Sequence, residues 1–377
     1  MLTIRQAQSR LSSVDIDKAC KSVVFGFSGG VDSSVLGVIL KESGFDVKGF
    51  HAICWSQGDY CTADQDLKDA LSVTSKYSIP LKVINLELEY RQYVLKPFIE
   101  MYEQGYVPNI DILCNNEIKF GAILRWANMS NGELLATGHY VDKGTVDLGK
   151  EPVETLKIPL DKSKDQTYFL SQIIRTPSLI NQLFFPGALF NKNEIRELAL
   201  ELGLPNAEKP DSQGICFVGN IGMREFLKDY IVSVPGRVVD TSGKDVGSHS
   251  GAVYFAIGQR HGFSIDRYTG TPLYIVSKDI KKNLLIVGTK EEASFDEVNI
   301  FNFFSLLDVD LINSQIKKRA LFVRFRNLGR LVEVKSLKVD GLKANLKLVD
   351  FEFGLTPGQE AVLYSGEFLI GSGTISR

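Results

Sequence analysis

Two textures divide the chain. Over the first half, short apolar runs at 22–27, 46–53, 81–86 and 133–137 alternate with stretches whose apolar residues recur three or four positions apart. Those stretches fall near 32–43, 63–77, 90–104, 115–130 and 192–202. The runs read as strands and the periodic stretches as helices. Their β-α-β-α order predicts a parallel sheet with helices on both faces. In such sheets ligands bind beyond the carboxyl ends of the strands, which directs attention to the loop after residue 27. Beyond about residue 217 the helical period fades and short strand-like runs take over, separated by Gly, Asp and Asn. They are Gly236–Asp240, Ala252–Ile257, Leu273–Val276, Leu284–Val287, Ala320–Phe325, Arg330–Ser336, Asn345–Phe351 and Glu360–Tyr364. This texture predicts a small, partly mixed β-module followed by a barrel, with a joint near Glu291–Asp296. The expected domains are residues 1–216, 217–288 and 289–377.

The most specific run is Val23–Val24–Phe25–Gly26–Phe27–Ser28–Gly29–Gly30–Val31–Asp32–Ser33–Ser34. An apolar strand enters Ser-Gly-Gly-Val-Asp-Ser-Ser, and a helical pattern starts at once. Gly29 and Gly30 are able to take positive φ, turning successive backbone N–H groups toward one anion. The following helix adds unpaired N–H groups and the positive end of its dipole, and Ser28, Ser33 and Ser34 add hydroxyls. Such a loop suits pyrophosphate or the phosphates of ATP. A tight turn with Asp32 as N-cap is the plain alternative; the full seven-residue run directly after a strand outweighs it. Neither a Walker A loop nor a dinucleotide fingerprint occurs. The run resembles the PP-loop of the N-type ATP pyrophosphatases, which cut ATP between the α- and β-phosphates. They include GMP and argininosuccinate synthetases and enzymes that place sulfur in tRNA. The resemblance implies adenylation and leaves the acceptor open.

At 377 residues, 44% of them apolar and 23% charged, the chain is of ordinary soluble composition and long enough for two or three domains. No apolar run approaches the ~20 residues needed to span a bilayer, and Met1–Lys21 lacks a signal-peptide core. The expectation is a cytoplasmic protein without a membrane partner. A net charge of −2 gives no global sign of nucleic-acid binding, but positive residues gather late: Lys317, Lys318, Arg319, Arg324, Arg326, Arg330, Lys335, Lys338, Lys343 and Lys347. A solvated sheet face and an RNA contact surface explain them equally well.

The five cysteines, Cys20, Cys54, Cys61, Cys114 and Cys216, are odd in number and sparse. They form no C-x-x-C pair, which argues against a disulfide framework or a zinc knuckle; no protein-held metal is expected. Two of them have distinctive settings. Cys114 lies in Pro108–Asn109–Ile110–Asp111–Ile112–Leu113–Cys114–Asn115–Asn116–Glu117–Ile118–Lys119–Phe120, where Asn115 or Asn116 is read as the cap of a helix that begins immediately afterwards. A thiol near a helix N-terminus is favoured as thiolate, and Lys119 adds to that. Asp111 is placed to take a proton, although its charge opposes thiolate formation. Cys216 lies in Lys209–Pro210–Asp211–Ser212–Gln213–Gly214–Ile215–Cys216–Phe217, a loop by its Pro and Gly. A buried cysteine beside an ordinary cap, and an idle loop cysteine, are the bland alternatives. Together with an ATP-cleaving loop the pair suggests sulfur transfer, in which one cysteine carries a persulfide and a second resolves it.

The chain resembles the tRNA-uridine 2-sulfurtransferase family along essentially its whole length. The matching motifs, besides SGGVDSS, are Tyr60–Cys61–Thr62–Ala63, Asp111-x-x-Cys114–Asn115 with Ile118–Lys119–Phe120, and Ala136–Thr137–Gly138–His139–Tyr140. They continue with Lys164–Asp165–Gln166–Thr167–Tyr168–Phe169, Gly214–Ile215–Cys216–Phe217, Gly247-x-His249-x-Gly251, Ile257–Gly258–Gln259–Arg260, Arg324–Phe325–Arg326 and Pro357–Gly358–Gln359. The resemblance implies an α/β-plus-β protein: a Rossmann-like PP-loop adenylating domain, a small β-rich tRNA-binding domain and a C-terminal β-barrel. It implies Cys114 as nucleophile, Cys216 as persulfide carrier and Asp111 as acid/base. ATP, with Mg²⁺, would be held by Gly26, Phe27, Ser28, Gly29, Gly30, Val31, Asp32, Ser33, Ala52 and Gly138. The tRNA would be contacted by Asn109, Ile110, Asp111, His139, Lys164, Asp165, Gln166, Arg324, Phe325 and Gln359. Ala52 stands where the family often has methionine, and Phe325 where it usually has tyrosine. The implied reaction is 2-thiolation of the wobble uridine with sulfur from a persulfide-donor protein, through a Cys114–Cys216 disulfide if hydrosulfide is released. An ATP-dependent amide or amidine ligase and a catalytically silent RNA-binding protein are the competing functions.

Overall fold

A computed structural model describes residues 2–14, 22–127, 129, 133–146, 152–211, 214–266 and 270–376. Cys20 lies outside them. The chain forms two compact units, one of Met1–Val94 with Asp111–Ile221, the other of Leu95–Ile110 with Gly222–Arg377.

The first unit is built on β1 (Ser22–Gly26), β2 (Asp46–Ile53), β3 (Leu81–Asn85) and β4 (Leu134–Ala136). After a hairpin of β5 (Asp142–Val146) and β6 (Val153–Lys157) comes the two-residue β7 (Leu183–Phe184). These form an all-parallel sheet in the order β3-β2-β1-β4-β7. The four strands expected from the apolar runs are present; β7 is too short to show a period. Successive strands build outward from β1 in one direction and from β4 in the other, so the carboxyl ends of these neighbours form the switch point where such sheets bind ligands. The loop at 27–30 and the segment Thr137–His139 leave from there.

α1 (Ile4–Ser12) opens with a Thr3–Gln6 capping box, and the helix Lys192–Glu201 opens with another from Asn191 and Glu194. Between them in space runs α2 (Val31–Glu42), with nine buried residues and apolar on nearly every side, as a central helix must be. Its Gly37 is required by packing: a Cβ there would lie 2.3 Å from the Phe27 ring. Gly37→Ala is therefore expected to lower unfolding free energy by about 1–3 kcal/mol, despite alanine's ~1 kcal/mol advantage in helix propensity. Urea denaturation would measure it, and a gain in stability would contradict this packing.

Two helical stretches depart from the sequence expectation. The segment read as a helix at 90–104 runs from Glu87 to Glu103 through a π-helical stretch, Arg91–Leu95. The helix expected at 115–130 instead begins at Ile110, passes through a π-helical stretch at Asn115–Ala122, and is α-helical again over Ile123–Ala127; residues 128 and 130 lie outside the described set. Asn115 does not cap: its amide donates to the Phe169 carbonyl at 3.2 Å, while the Asn116 amide is engaged by Glu117.

The second unit holds two β-structures. β8 (Gly236–Asp240), β9 (Asp245–His249), β10 (Phe263–Ile265), β11 (Tyr274–Asp279) and β12 (Leu284–Gly288) form a sheet ordered β10-β9-β8-β12-β11, with β8 and β12 parallel. The run Ala252–Ile257, read as a strand, is not one. It makes a 3₁₀ turn at Ala252–Tyr254, and Ala252 and Phe255 fill the small core with Val238, Ile275, Leu285 and Val287. Burial of its apolar side chains, rather than strand pairing, accounts for the run.

β13 (Ser294–Ser305), β14 (Leu321–Arg324), β15 (Val332–Asp340), β16 (Lys343–Phe353), β17 (Glu360–Ser365) and β18 (Phe368–Ile375) follow. β13 pairs with β16 and, from Ile300 to Ser305 across a register shift between Phe301 and Phe304, also with β18, which closes the barrel. Of the late cations, Arg319 pairs with Glu333 at 2.7 Å, Arg326 with Glu352 at 3.1 Å and Arg330 with Glu352 at 2.7 Å. Among the described residues no helix is long and apolar enough to cross a membrane.

Candidate functional site

The loop after β1 is shaped for an anion. Gly29 takes φ +82°, and a Cβ on it would lie 2.3 Å from the Asp66 carbonyl oxygen. Gly30, expected to share that freedom, instead sits at φ −80° and serves as N-cap of α2 with no side chain to offer. Asp32 is therefore not the cap; it lies in the first helical turn. The first N–H groups of a helix have no intrahelical acceptor, and with a glycine cap they remain for a ligand. Serines brace the loop: Ser28 N–H donates to Ser33 Oγ at 3.2 Å, and the Ser33 and Ser34 hydroxyls donate to the Gly30 carbonyl at 3.1 and 2.9 Å. The Gly29 carbonyl is held by Asn206 Nδ2 at 3.0 Å and Lys209 Nζ at 3.2 Å. At the end of β4, Gly138 lies against the start of α2, where a Cβ would stand in ordinary contact at 3.4 Å from Ser33 N. These features fit the phosphates of ATP. Ala52 is half-buried near the end of β2.

Buried His51 was passed over in the sequence. Its Nδ1–H donates to the Phe27 carbonyl at 2.7 Å, and burial pushes its titration down, so a neutral ring holds the residue that enters the loop. Lys192 was also missed. Its Nζ lies 2.6 Å from Asp32 and 2.8 Å from Asp211, and Tyr140 Oη donates to Asp32 at 3.0 Å. Burial alone would push the Asp211 carboxyl up, yet hydrogen bonds from Lys192, Lys164 and Arg196 hold it well below the usual carboxylate range. An acid alone signals no such network; its cations come from residues far apart in sequence.

The two candidate cysteines lie in the same unit. Cys114, wholly buried, and Cys216, half-buried, are free thiols with Sγ atoms 3.2 Å apart. Gly214, at φ +97°, and the bridge between Ile215 and Gly219 shape the Cys216 turn, and Tyr90 Oη donates to the Cys216 carbonyl at 2.9 Å. The electrostatics reverse the sequence expectation. Burial pushes the Cys114 thiol up, so it is not a helix-activated thiolate. Cys216 moves down, first through its hydrogen bond with Cys114 and then, against burial, through Lys119. Burial raises Asp111, so this carboxylate is a better base than an exposed one. It stands one helical turn before Cys114.

The expected tRNA contacts fall into distinct settings. His139 stands between Phe120 and Phe185 with ring centroids at 5.8 and 6.4 Å. Asp165 is buried and accepts from the Thr167 N–H and hydroxyl; Gln166 Oε1 accepts from Tyr140 N–H at 2.9 Å. Both carboxylate and amide are thus turned to the protein. Lys164, partly exposed, pairs with Asp211 at 3.0 Å. In the second unit Arg324 and Phe325 are 7% and 5% exposed, with Arg324 over the Tyr364 ring at 5.2 Å; neither presents an open face to an RNA here. Gln359 donates to the Val107 carbonyl, while Val107 N–H donates to Pro357 at 2.8 Å. That pair anchors the segment carrying Asn109 and buried Ile110. Among the described residues no cluster of His, Cys, Asp and Glu is arranged to hold a metal.

Comparison with known proteins gives three consecutive domain matches. Residues 21–220 match the tRNA methyl transferase HUP domain, 224–289 the tRNA methyl transferase PRC-barrel domain, and 304–375 the aminomethyltransferase beta-barrel domain. Similar full-length proteins include the tRNA-specific 2-thiouridylase MnmA of Limosilactobacillus reuteri, 40% identical over 96% of this chain and 97% of that one. Those of Listeria monocytogenes and Limosilactobacillus fermentum are 38% and 37% identical, over 94% of both chains and over 96% and 97% respectively.

Proposed function

The chain belongs to the tRNA-specific 2-thiouridylase family, and we propose that it replaces the C2 oxygen of the wobble uridine, position 34, by sulfur. It is a tRNA-thiolating enzyme that uses ATP. The proposed mechanism is supported above all by the two sulfurs 3.2 Å apart, in the same unit as the anion loop. A methyl-group transfer or an amide ligation has no use for such a pair.

Backbone N–H groups at the glycine-capped start of α2 hold the triphosphate while the uracil O2 attacks the α-phosphorus and pyrophosphate leaves. Asp32, the carboxylate at the loop, is the residue that would face a Mg²⁺ brought in on the nucleotide, which would screen the triphosphate charge. Adenylation turns the C2 oxygen into the leaving group AMP. A persulfide-donor protein loads a terminal sulfur on Cys216. Asp111 takes the Cys114 proton, and the Cys114 thiolate attacks Cys216 Sγ. The Cys114–Cys216 bond forms, the persulfide S–S bond breaks, and hydrosulfide leaves with the electron pair. Hydrosulfide adds to C2 and expels AMP. If the terminal sulfur attacks C2 first, the same attack by Cys114 cuts the adduct. Either order ends in the disulfide, which a dithiol reductant reopens. Access to C2 requires the wobble base to be splayed from the anticodon loop.

Residues 1–216 form the adenylating domain in this scheme, and 217–288 and 289–377 hold tRNA, in a cytoplasmic enzyme. His139 and Lys164 would meet tRNA directly. Asp165, Gln166, Arg324, Phe325 and Gln359 would act by setting the backbone around such contacts, and Asn109–Ile110–Asp111 by leading into the thiol helix. Incubation with α-labelled ATP, tRNA and a persulfide source is expected to yield one AMP per thiolated uridine. ADP as the labelled product would overturn the adenylation step.

A further inference from the structure

The π-helical stretch Asn115–Ala122 starts directly after the candidate nucleophile and contains Lys119, and it changes which residues share a face. In an α-helix the residue four positions after Cys114, Ile118, would stack above it. A π-turn bonds i to i+5, so residue 119 is brought over residue 114 instead. Asp111, one turn earlier, lies on the same side. The Lys119 ammonium is thereby carried into the thiol site. Its Nζ lies 3.4 Å from His139 Nε2 and 5.9 Å from the centre of the Phe217 ring, the residue next to Cys216. An ammonium only donates, so His139 Nε2 accepts from it and the ring's proton resides on Nδ1, 2.8 Å from the Thr137 hydroxyl. Burial and Lys119 both keep that imidazole neutral. Among the described residues, Lys119 is the cation that acts on Cys216.

We propose that Lys119, set over Cys114 by the π-turn, is the charge-positioning residue that keeps the sulfur at Cys216 anionic, first as thiolate and then as persulfide. This rests on Cys216 as the sulfur carrier. When Cys114 gives its proton to Asp111 and attacks Cys216 Sγ, the electron pair of the broken S–S bond goes to the departing persulfide sulfur, which takes up that proton and leaves as hydrosulfide, so a single negative charge is conserved within reach of one ammonium. The other titratable groups around the pair do not supply positive charge: Asp111, Cys54 and Tyr90 are neutral or negative, and His139 is neutral. Burial opposes the charge on Lys119, but attraction to Cys216, Cys114 and Asp111 outweighs it, so the ammonium persists.

The test needs neither tRNA, ATP nor a sulfur donor, so it stands apart from the assay of thiolation. Rates of iodoacetamide modification would be followed at the Cys216 peptide by mass spectrometry across pH for wild type, Lys119→Gln and Lys119→Arg. A lost cation raises the thiol's titration, so Lys119→Gln is expected to react at least about tenfold more slowly near neutral pH, a shift of one unit or more. At pH 10, where thiolate forms regardless, the rates should converge; this shows that access and fold are retained. Lys119→Arg should keep the wild-type profile. A Lys119→Gln profile that superposes on wild type would overturn the proposal. So would an equal loss in Lys119→Arg, or a loss that persists at pH 10, since shape and not charge would then matter.

Discussion

Cys216→Ser will stop sulfur transfer to tRNA while leaving pyrophosphate release at the loop after β1 intact. A serine oxygen cannot carry the terminal sulfur, and loss of a covalent-catalysis nucleophile typically costs a thousandfold or more, so a fall of at least about 10³ in thiolation is expected. Adenylation uses the backbone at the start of α2 and should proceed for one turnover, with pyrophosphate released in a burst equal to enzyme. Cys114→Ser should fall as far, but for another reason: persulfide will load on Cys216 and remain there, visible as an added sulfur on that peptide. The two sulfurs are already 3.2 Å apart, so no rearrangement is required before the disulfide step. Full thiolation by either variant would remove that cysteine from the mechanism.

Gly29→Ala is expected to abolish the ATP step. The backbone there is left-handed, at φ +82°, which costs a non-glycine residue about 1–2 kcal/mol. The larger effect is steric, because the new methyl would lie 2.3 Å from the Asp66 carbonyl oxygen at the start of α3 (Ala63–Lys76). Backbone is a poor thing to displace, and Lys209 holds Asp66 in place at 2.6 Å while also reaching the Gly29 carbonyl. The loop must move, and a displacement of about 1 Å in a positioned site can cost a hundredfold in rate. Pyrophosphate release should fall at least about that much. Isothermal titration would show weakened ATP binding, and circular dichroism would show a folded protein. Wild-type ATP affinity in this variant would contradict the cradle.

What the chain disclosed in sequence follows the range of the forces involved. β1 to β4 were legible because each is a compact apolar run, and α2 because its burial makes it apolar nearly all round. The anion loop was legible because its chemistry lies in consecutive residues. The cysteine pair was legible as candidates, but their charges were not. The expected cap at Asn115 is overruled because the helix already begins at Ile110 and runs on through Asn115, which takes Cys114 away from the helix N-terminus. Which sulfur carries charge is decided by the hydrogen bond between the two thiols, by burial and by Lys119, and Lys119 shares the face of Cys114 through a π-turn that no period in the sequence marks. Lys192, His51 and Asn206 act on the loop from elements far along the chain. β13 escaped notice because charges and asparagines interrupt its alternation, and Ala252–Ile257 misled because an apolar run shows burial without saying whether its backbone pairs.

The central claim is that the loop and the cysteine pair serve one reaction that places sulfur at C2 of a tRNA uridine. Mass analysis of nucleosides digested from tRNA, after incubation with the protein, ATP and a persulfide source, tests it most directly. The account predicts ATP-dependent loss of uridine at position 34 and an equal gain of a nucleoside heavier by the exchange of one oxygen for one sulfur. Nucleosides that remain unchanged, or that gain nitrogen or carbon without sulfur, would contradict it.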